Sequence, residues 1–332
     1  MQRCLEEGFG FTGGTIDKLE SIPGYKTNIK IDEFIKNVEN IGISLIGQTL
    51  NLAPADKKLY ALRDTIACVD NIPLIASSIM SKKIASGANK IVLEVTVGSG
   101  AFMKTIEKAE ELAKMMIRIG KLANKETVCI LTNMNEPIGH SIGNTLEVIE
   151  AIEAIEALNG NMDEDVKDVV LELGAYMIKL AGKGNNIEIN KKNMLENINN
   201  KKAYNKFIEL VKNQGGDIEY IKNVEKFKLA KYKIPVPADK EGYVKEIDVE
   251  KLGNISCMLG AGRVKKDDKI DHDVGIVVKK KIGDKINLDE EFAYIYANDL
   301  ALGNETIEKI KKCYELSNEV VEKEKSILGI IS

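Results

Sequence analysis

Near its start the chain reads GFTGGTIDKLESIPG, with the pair Gly13–Gly14 set between Thr12 and Thr15. Glycines let backbone N–H groups come close to a phosphate, and a hydroxyl adds one more donor. The stretch reads as a phosphate cradle, with a plain turn as the other reading. Such a cradle normally follows a strand, and little chain precedes this one. A second glycine run, VGSGAFM, invites a dinucleotide site, which needs G-x-G-x-x-G. Here the last position is Met103, and no acidic ribose partner stands at the right place, so that site is excluded. A loop at the carboxyl end of a parallel strand still faces the usual ligand side, so this one is expected to line a cleft.

Ser78 and Lys82 in SSIMSK stand four apart and share one face of a helix. Lys83 points roughly 100° away. The plain alternative is a packed serine beside an exposed lysine. Arg63 in YALRD is either a solvated helix arginine paired with a nearby carboxylate or a fixed guanidinium for a carbonyl or anionic group. The only histidines are His140, in a glycine turn, and His272, in KIDHDVG, which reads as a surface turn.

These residues need elements to hold them. ADKKLYALRDTIACV and LIASSIMSKKIAS read as two helices, with Pro54 near the start of the first. Lys90–Val97, KIVLEVTV, is a β-branched run suited to a buried strand. The stretch AFMKTIEKAEELAKMMIRIGKLA then places Phe102, Ile106, Leu112, Met116 and Ile119 near helical spacing, and TVCILTNM is the next strand. This βαβ unit predicts a parallel sheet in an α/β protein. GNTLEVIEAIEAIEAL, which holds the tandem AIEAIEA, and VKDVVLELGAYMIKLAG are further helices. From about Ile234 short alternating segments separated by Gly and Asp predict a β-rich part, followed by a final charged helix over Asn304–Lys325.

The 332 residues are 44% hydrophobic and 30% charged, with 47 basic and 51 acidic residues and a formal net charge of −4. That balance offers no nucleic-acid surface and no polybasic membrane patch. A small anion must be held by local groups. The five cysteines, Cys4, Cys68, Cys129, Cys257 and Cys313, are scattered without a CxxC pair. With two histidines, this argues against a zinc cluster and for reduced thiols in the cytoplasm. No apolar run is long enough to span a membrane, and MQRCLEEGFG has no signal-peptide core.

Six blocks occur in order: GFTGGTIDKLESIPG, IGQTLNLAPADKKLYALRD, IPLIASSIMSKKIASGANKIVLEVTVGSGAFMK, QGGD, LGAGRVKKDD and VGIVVKKKIGDKI. Together they resemble the pyrimidine-nucleoside phosphorylase family, which includes the thymidine phosphorylases, from Gly8 to about Asn298. The resemblance implies reversible phosphorolysis of pyrimidine (deoxy)nucleosides to a free base and a pentose 1-phosphate. It implies a homodimer in the cytoplasm and no organic cofactor, since inorganic phosphate is the nucleophile. The implied fold is α/β. A mixed or parallel sheet domain with flanking helices takes residues 1–54 and 88–232. The remnant of a small helical, base-binding domain takes 55–87. A β-rich C-terminal domain with a final helix takes 233–332.

Carried onto this sequence, the family pattern puts Thr15, with Gly13 and Gly14, on the phosphate. It puts Arg63 on the pyrimidine, Ser78 on its N3 edge and Lys82 on a carbonyl oxygen. It suggests half of a site for K+ or Ca2+, with backbone oxygens from Ile138 and Ser141 and the carboxylate of Glu150. Such oxygen ligands suit hard cations. The family usually has an aromatic residue at His140, which implies a packing role there. The tail resembles a biotinyl or lipoyl carrier, but GDKI is not a carrier turn, so it reads as structural.

The lead departs from the family. RCLEEGFGFTGG stands where the family shows a pattern like KMSGRGLGHTGG, so Arg3 replaces a lysine, Leu5 a phosphate-binding serine and Phe11 a histidine. Glu6 and Glu7 put like charge beside the cradle. The family's longer N-terminal segment, with a KHSTGGVGD-type loop, has no counterpart here. The expectation is a truncated member that is weakly active alone. The alternatives are a non-catalytic binding relative, or a phosphoribosyltransferase of the same fold, for which no acidic Mg2+ motif is placed.

Overall fold

A computed structural model describes residues 13–47, 53–56, 59, 71–156, 162–263 and 268–332, together with the backbone of 2–5. The residues of the lead from 6 to 12, Arg63 and most of the expected helix around it lie outside this description.

The βαβ unit is present. Strands β3 (Lys90–Val97) and β4 (Glu126–Asn133) pair in parallel, from Lys90 opposite Glu126 to Val97 opposite Asn133. β3 alternates between buried and open positions, whereas β4 is buried at every residue after Glu126. The helix between them, Ile106–Leu122, starts at Thr105, whose hydroxyl accepts from Lys108 N–H at 3.4 Å. It buries Ala109, Leu112, Ala113, Met116 and Gly120. Phe102 and Ile106, placed on this stripe by their spacing, are instead 48% and 43% exposed. Before the helix the chain returns to the sheet, where Met103 bridges Val97. A two-stranded parallel sheet joins β1 (Gln2–Leu5) to β2 (Ser44–Gly47).

Downstream, β6 (Tyr232–Pro237), β8 (Gly275–Val278), β10 (Glu291–Ala297) and the short β5 (Ser141–Gly143) form a sheet in the order β5-β8-β10-β6. It packs with a smaller sheet of β11 (Tyr314–Ser317), β7 (Gly242–Ile247) and β9 (Lys285–Ile286). Val236, Val244, Leu252, Ile276 and Ile295 are fully buried in their shared core. Strand β5, from the middle of the chain, thereby ties the two halves together.

The end of the chain differs from expectation. The helix is Leu300–Lys311, not Asn304–Lys325, and two strands follow it. Cys313 and Leu316 turn inward on the smaller core. The β-branched end forms β12 (Ile327–Ile331), which pairs antiparallel with β4 in the order β12-β4-β3. The dense lysines and glutamates of this stretch suggested one charged helix, but its end is the short, mostly β-branched apolar run ILGII, which suits a strand. Among the described residues no helix is long and apolar enough to cross a membrane.

Candidate phosphate and base site

Gly13 and Gly14 lead into a short helix, Thr15–Glu20, whose N-cap Gly14 is extended and makes no side-chain cap. Ile16 and Leu19 anchor that helix in a core with Ile22, Ile152 and Val211. Its polar residues are held from far along the chain. Asp17 is 2% exposed, and its carboxylate takes the Arg263 guanidinium at 2.8 Å. Lys18 runs back over the first turn, so its Nζ lies 3.5 Å from where a Cβ on Gly13 would sit. The Lys18 ammonium pairs with Glu147, whose other oxygen accepts from Gly143 N–H at 3.1 Å. Nearby, Asn144 Nδ2 donates to Ala261 O at 2.8 Å and Thr145 N–H to His272 O at 3.2 Å. The GGTIDK and LGAGR blocks therefore meet at the start of the helix Asn144–Glu156.

The QGGD block acquires a physical role. Gln214, 2% exposed, donates from Nε2 to Lys26 O and Leu45 O, both at 2.8 Å, and accepts from Leu45 N–H at 2.9 Å. It clamps the turn after the cradle helix to β2. Gly24 has φ +79°, and a Cβ there would come within 2.8 Å of Gly215 O, so both chains must be bare where they touch.

Ser78 and Lys82 stand on the helix Ile72–Ala85. Asn71 caps it by accepting from Leu74 N–H at 3.1 Å, and Pro73 suits its first turn. Ala76 and Met80 are fully buried in the same core as β3. Ser78 and Lys82 are also buried, at 5% and 7% exposure, while Lys83 is half-buried. A buried ammonium needs a counter-charge, and Lys82 Nζ lies 3.3 Å from Asp56 Oδ2. Beside this helix an apolar cavity of about 120 Å³ is lined by Ile75, Ile79, Phe102 and Met103, with Glu94 and Thr96 as its polar members. The structure thus brings Ser78 and Lys82 together, and sets Gly13, Gly14 and Thr15 on a separate element; Arg63 lies outside the described residues.

Around His140 the chain wraps a carboxylate. Gly139 has φ +73°, and Glu150 Oε2 lies 2.8 Å from where its Cβ would be. Glu150 accepts from His140 N–H at 2.7 Å and Ser141 N–H at 3.2 Å. Burial raises the Glu150 carboxyl above its usual range, against the pull of these amides. The His140 ring is held on both sides, with Nδ1 2.7 Å from Val278 O and Nε2 3.2 Å from Asp163. His272 lies in a turn, as its sequence suggests, but is half-buried there, and its Nδ1 is buried with no hydrogen-bond partner among the described residues. No group of three or more His, Cys, Asp or Glu side chains among the described residues is placed to hold a metal. Of the expected ligands for K+ or Ca2+, Glu150 is half-buried with both oxygens on these amides, and Ile138 and Ser141 lie in the same loop.

The GSG loop, expected to line a cleft, is filled by protein. A Cβ on Gly98 would lie 2.6 Å from Asn135 N, and one on Gly100 2.5 Å from Val249 Cγ1. Ser99 Oγ donates to Ile247 O at 2.8 Å and Ser99 N–H to Asn135 Oδ1 at 3.1 Å. Nothing in the sequence pattern pointed to the Asp17–Arg263 and Lys18–Glu147 pairs. Asp17, Lys18 and Arg263 lie inside motif blocks, but 246 residues separate Asp17 from Arg263, and periodicity carries no signal over that span.

Comparison with known proteins identifies the family. A family described as "Glycosyl transferase family, a/b domain" matches residues 6–204, and "Pyrimidine nucleoside phosphorylase C-terminal domain" matches 243–317. The chain is 49% identical over 291 residues to the pyrimidine-nucleoside phosphorylase of Bacillus subtilis (strain 168), covering 88% of this chain and 66% of that protein. It is 47% identical over 314 residues to that of Staphylococcus aureus (strain USA300), covering 95% of this chain and 72% of that protein. These matches over most of the chain place it in the pyrimidine-nucleoside phosphorylase family.

Proposed function

We propose that this chain binds inorganic phosphate and a pyrimidine nucleoside and exchanges the base for phosphate. The observation that carries the reading is the pair Ser78 and Lys82, both buried four residues apart on one helix. Lys82 has its counter-charge there in Asp56, so an ammonium and a hydroxyl stand ready on one helix face. In this reading Thr15 and the amides around Gly13 and Gly14 hold the phosphate. Its oxygen attacks C1′ as the C1′–N1 bond breaks, and the base leaves with negative charge over O2, N3 and O4. The Lys82 ammonium, lent by Asp56, and the Arg63 guanidinium stabilise that charge, and Ser78 orients the N3 edge.

K+ or Ca2+ at Ile138, Ser141 and Glu150 would brace the His140 loop without entering the bond changes. Two copies form the working unit, as the resemblance implies, and the compartment is the cytoplasm. Cys129, Cys257 and Cys313 are free and buried, in keeping with that compartment. Burial pushes the Cys129 and Cys313 thiols up to about 12, so they remain protonated and inert.

The test is release of uracil or thymine from uridine or thymidine by the purified chain, with and without phosphate. Phosphate-dependent release that Lys82→Met abolishes supports the reading. Binding of phosphate and base with no release would make the chain a binding relative rather than an enzyme.

A further inference from the structure

We propose that Lys18 is itself a ligand of the phosphate, held in reserve by Glu147 until the anion arrives; this rests on the cradle reading above. The lysine Nζ lies 3.5 Å from the Cβ position of Gly13 and its Cε 3.2 Å, so the ammonium overhangs the glycine that opens the cradle. Its partner among the described residues is Glu147, and the two side chains are 27% and 26% exposed. The pair is therefore neither locked in a core nor lost in solvent.

The two partners differ in how they are held. Glu147 is anchored, because its Oε1 accepts from Gly143 N–H at 3.1 Å at the start of its own helix. Lys18 is on a flexible four-carbon stem, and an ammonium is a compact charge that serves any oxygen within reach. A phosphate at Gly13–Thr15 brings at least one full negative charge beside that ammonium, and charge-assisted bonds to phosphate are the stronger kind. The same carboxylate also guards the cradle: Glu147 Oε1 lies 3.9 Å from the Gly13 Cβ position, close enough to repel an anion until Lys18 swings across to it. The exchange is thus a competition between an internal carboxylate and phosphate for one lysine.

A competition has a sign that a structural pair does not. Phosphate binding by the full chain is measured by calorimetry at low ionic strength, with uracil binding as the control. Lys18→Met should weaken phosphate binding about tenfold, and Lys18→Arg should stay within about threefold, since each keeps or loses one charge-assisted contact. Glu147→Gln keeps an acceptor for Gly143 N–H and removes the competing charge, so it should tighten phosphate binding about threefold. Uracil binding should not change in any of them. If the unsubstituted chain binds no phosphate, the cradle reading itself fails and this proposal with it. If that chain binds phosphate and Lys18→Met binds it equally well, this proposal alone fails. Weaker binding in Glu147→Gln would likewise overturn it, because it would make the pair a structural support.

Discussion

Two glycine loops in this chain look alike in sequence and differ in what surrounds them. TGGT and VGSG both offer paired or near-paired glycines beside a hydroxyl. Among the described residues, an added methyl at Gly13 would meet the far end of Lys18 and the Glu147 carboxylate. At Gly98 and Gly100 it would meet the backbone of Asn135, the carbonyl carbon of Met134 and the branched side chain of Val249. Around Gly13 only side-chain ends come near among the described residues, which leaves the room that the proposed phosphate needs. The second loop is bare because other parts of the protein have already approached. A glycine run marks a close contact, and only the surroundings tell whether the partner is a ligand or the chain itself.

The sharpest way to break this contrast is to add the methyl where there is no room. Gly98 has φ +135°, so Gly98→Ala combines a strained backbone with a clash against Asn135 N at 2.6 Å. We expect a loss of about 3–5 kcal/mol in denaturant unfolding. A loss under about 1 kcal/mol would mean the loop can open and the contrast is false. Next in size is Asp17→Ala, which leaves the Arg263 guanidinium, 16% exposed, without its 2.8 Å partner behind the cradle. Removing one member of a largely buried ion pair costs about 3 kcal/mol. Loss of phosphate binding in proportion would show that the C-terminal part shapes the cradle. Smaller again is Ser99→Ala, which removes the 2.8 Å bond to Ile247 O and should cost about 1 kcal/mol by thermal or chemical unfolding, with phosphate binding unchanged.

The same contrast explains what could be read from the sequence. The β3–helix–β4 unit was legible because a β-branched run followed by a 3.6-residue repeat is a local signal. Ser78 and Lys82 were legible because four residues is about one helical turn, and both indeed turn to the buried side. The last helix was misread because charge density masked the short strand segments Tyr314–Ser317 and Ile327–Ile331. The GSG loop was misread because its partners, Asn135 and Val249, lie 37 and 151 positions away from Gly98. Local patterns specify elements, whereas the occupant of a glycine loop is chosen by pieces that only the folded chain brings together. Glu147 and Arg263 belong to that second class, and so does the Gln214 clamp.

Gly13→Ala tests the other side of the contrast, with the smallest expected cost to the fold. The nearest atom to the new Cβ is Lys18 Cε at 3.2 Å, the end of a flexible chain that can shift by a few tenths of an ångström. Gly13 is exposed and needs no positive φ. Stability should therefore change by no more than about 0.5 kcal/mol, the range of ordinary surface substitutions. Phosphate is a different matter. The methyl would stand between the incoming oxygens and the Gly13–Gly14 amides, and it would also push the ammonium aside. Calorimetry should show phosphate binding weakened about tenfold at nearly constant unfolding free energy. A variant that unfolds early and binds phosphate normally would invert the assignment, making TGGT the packed loop.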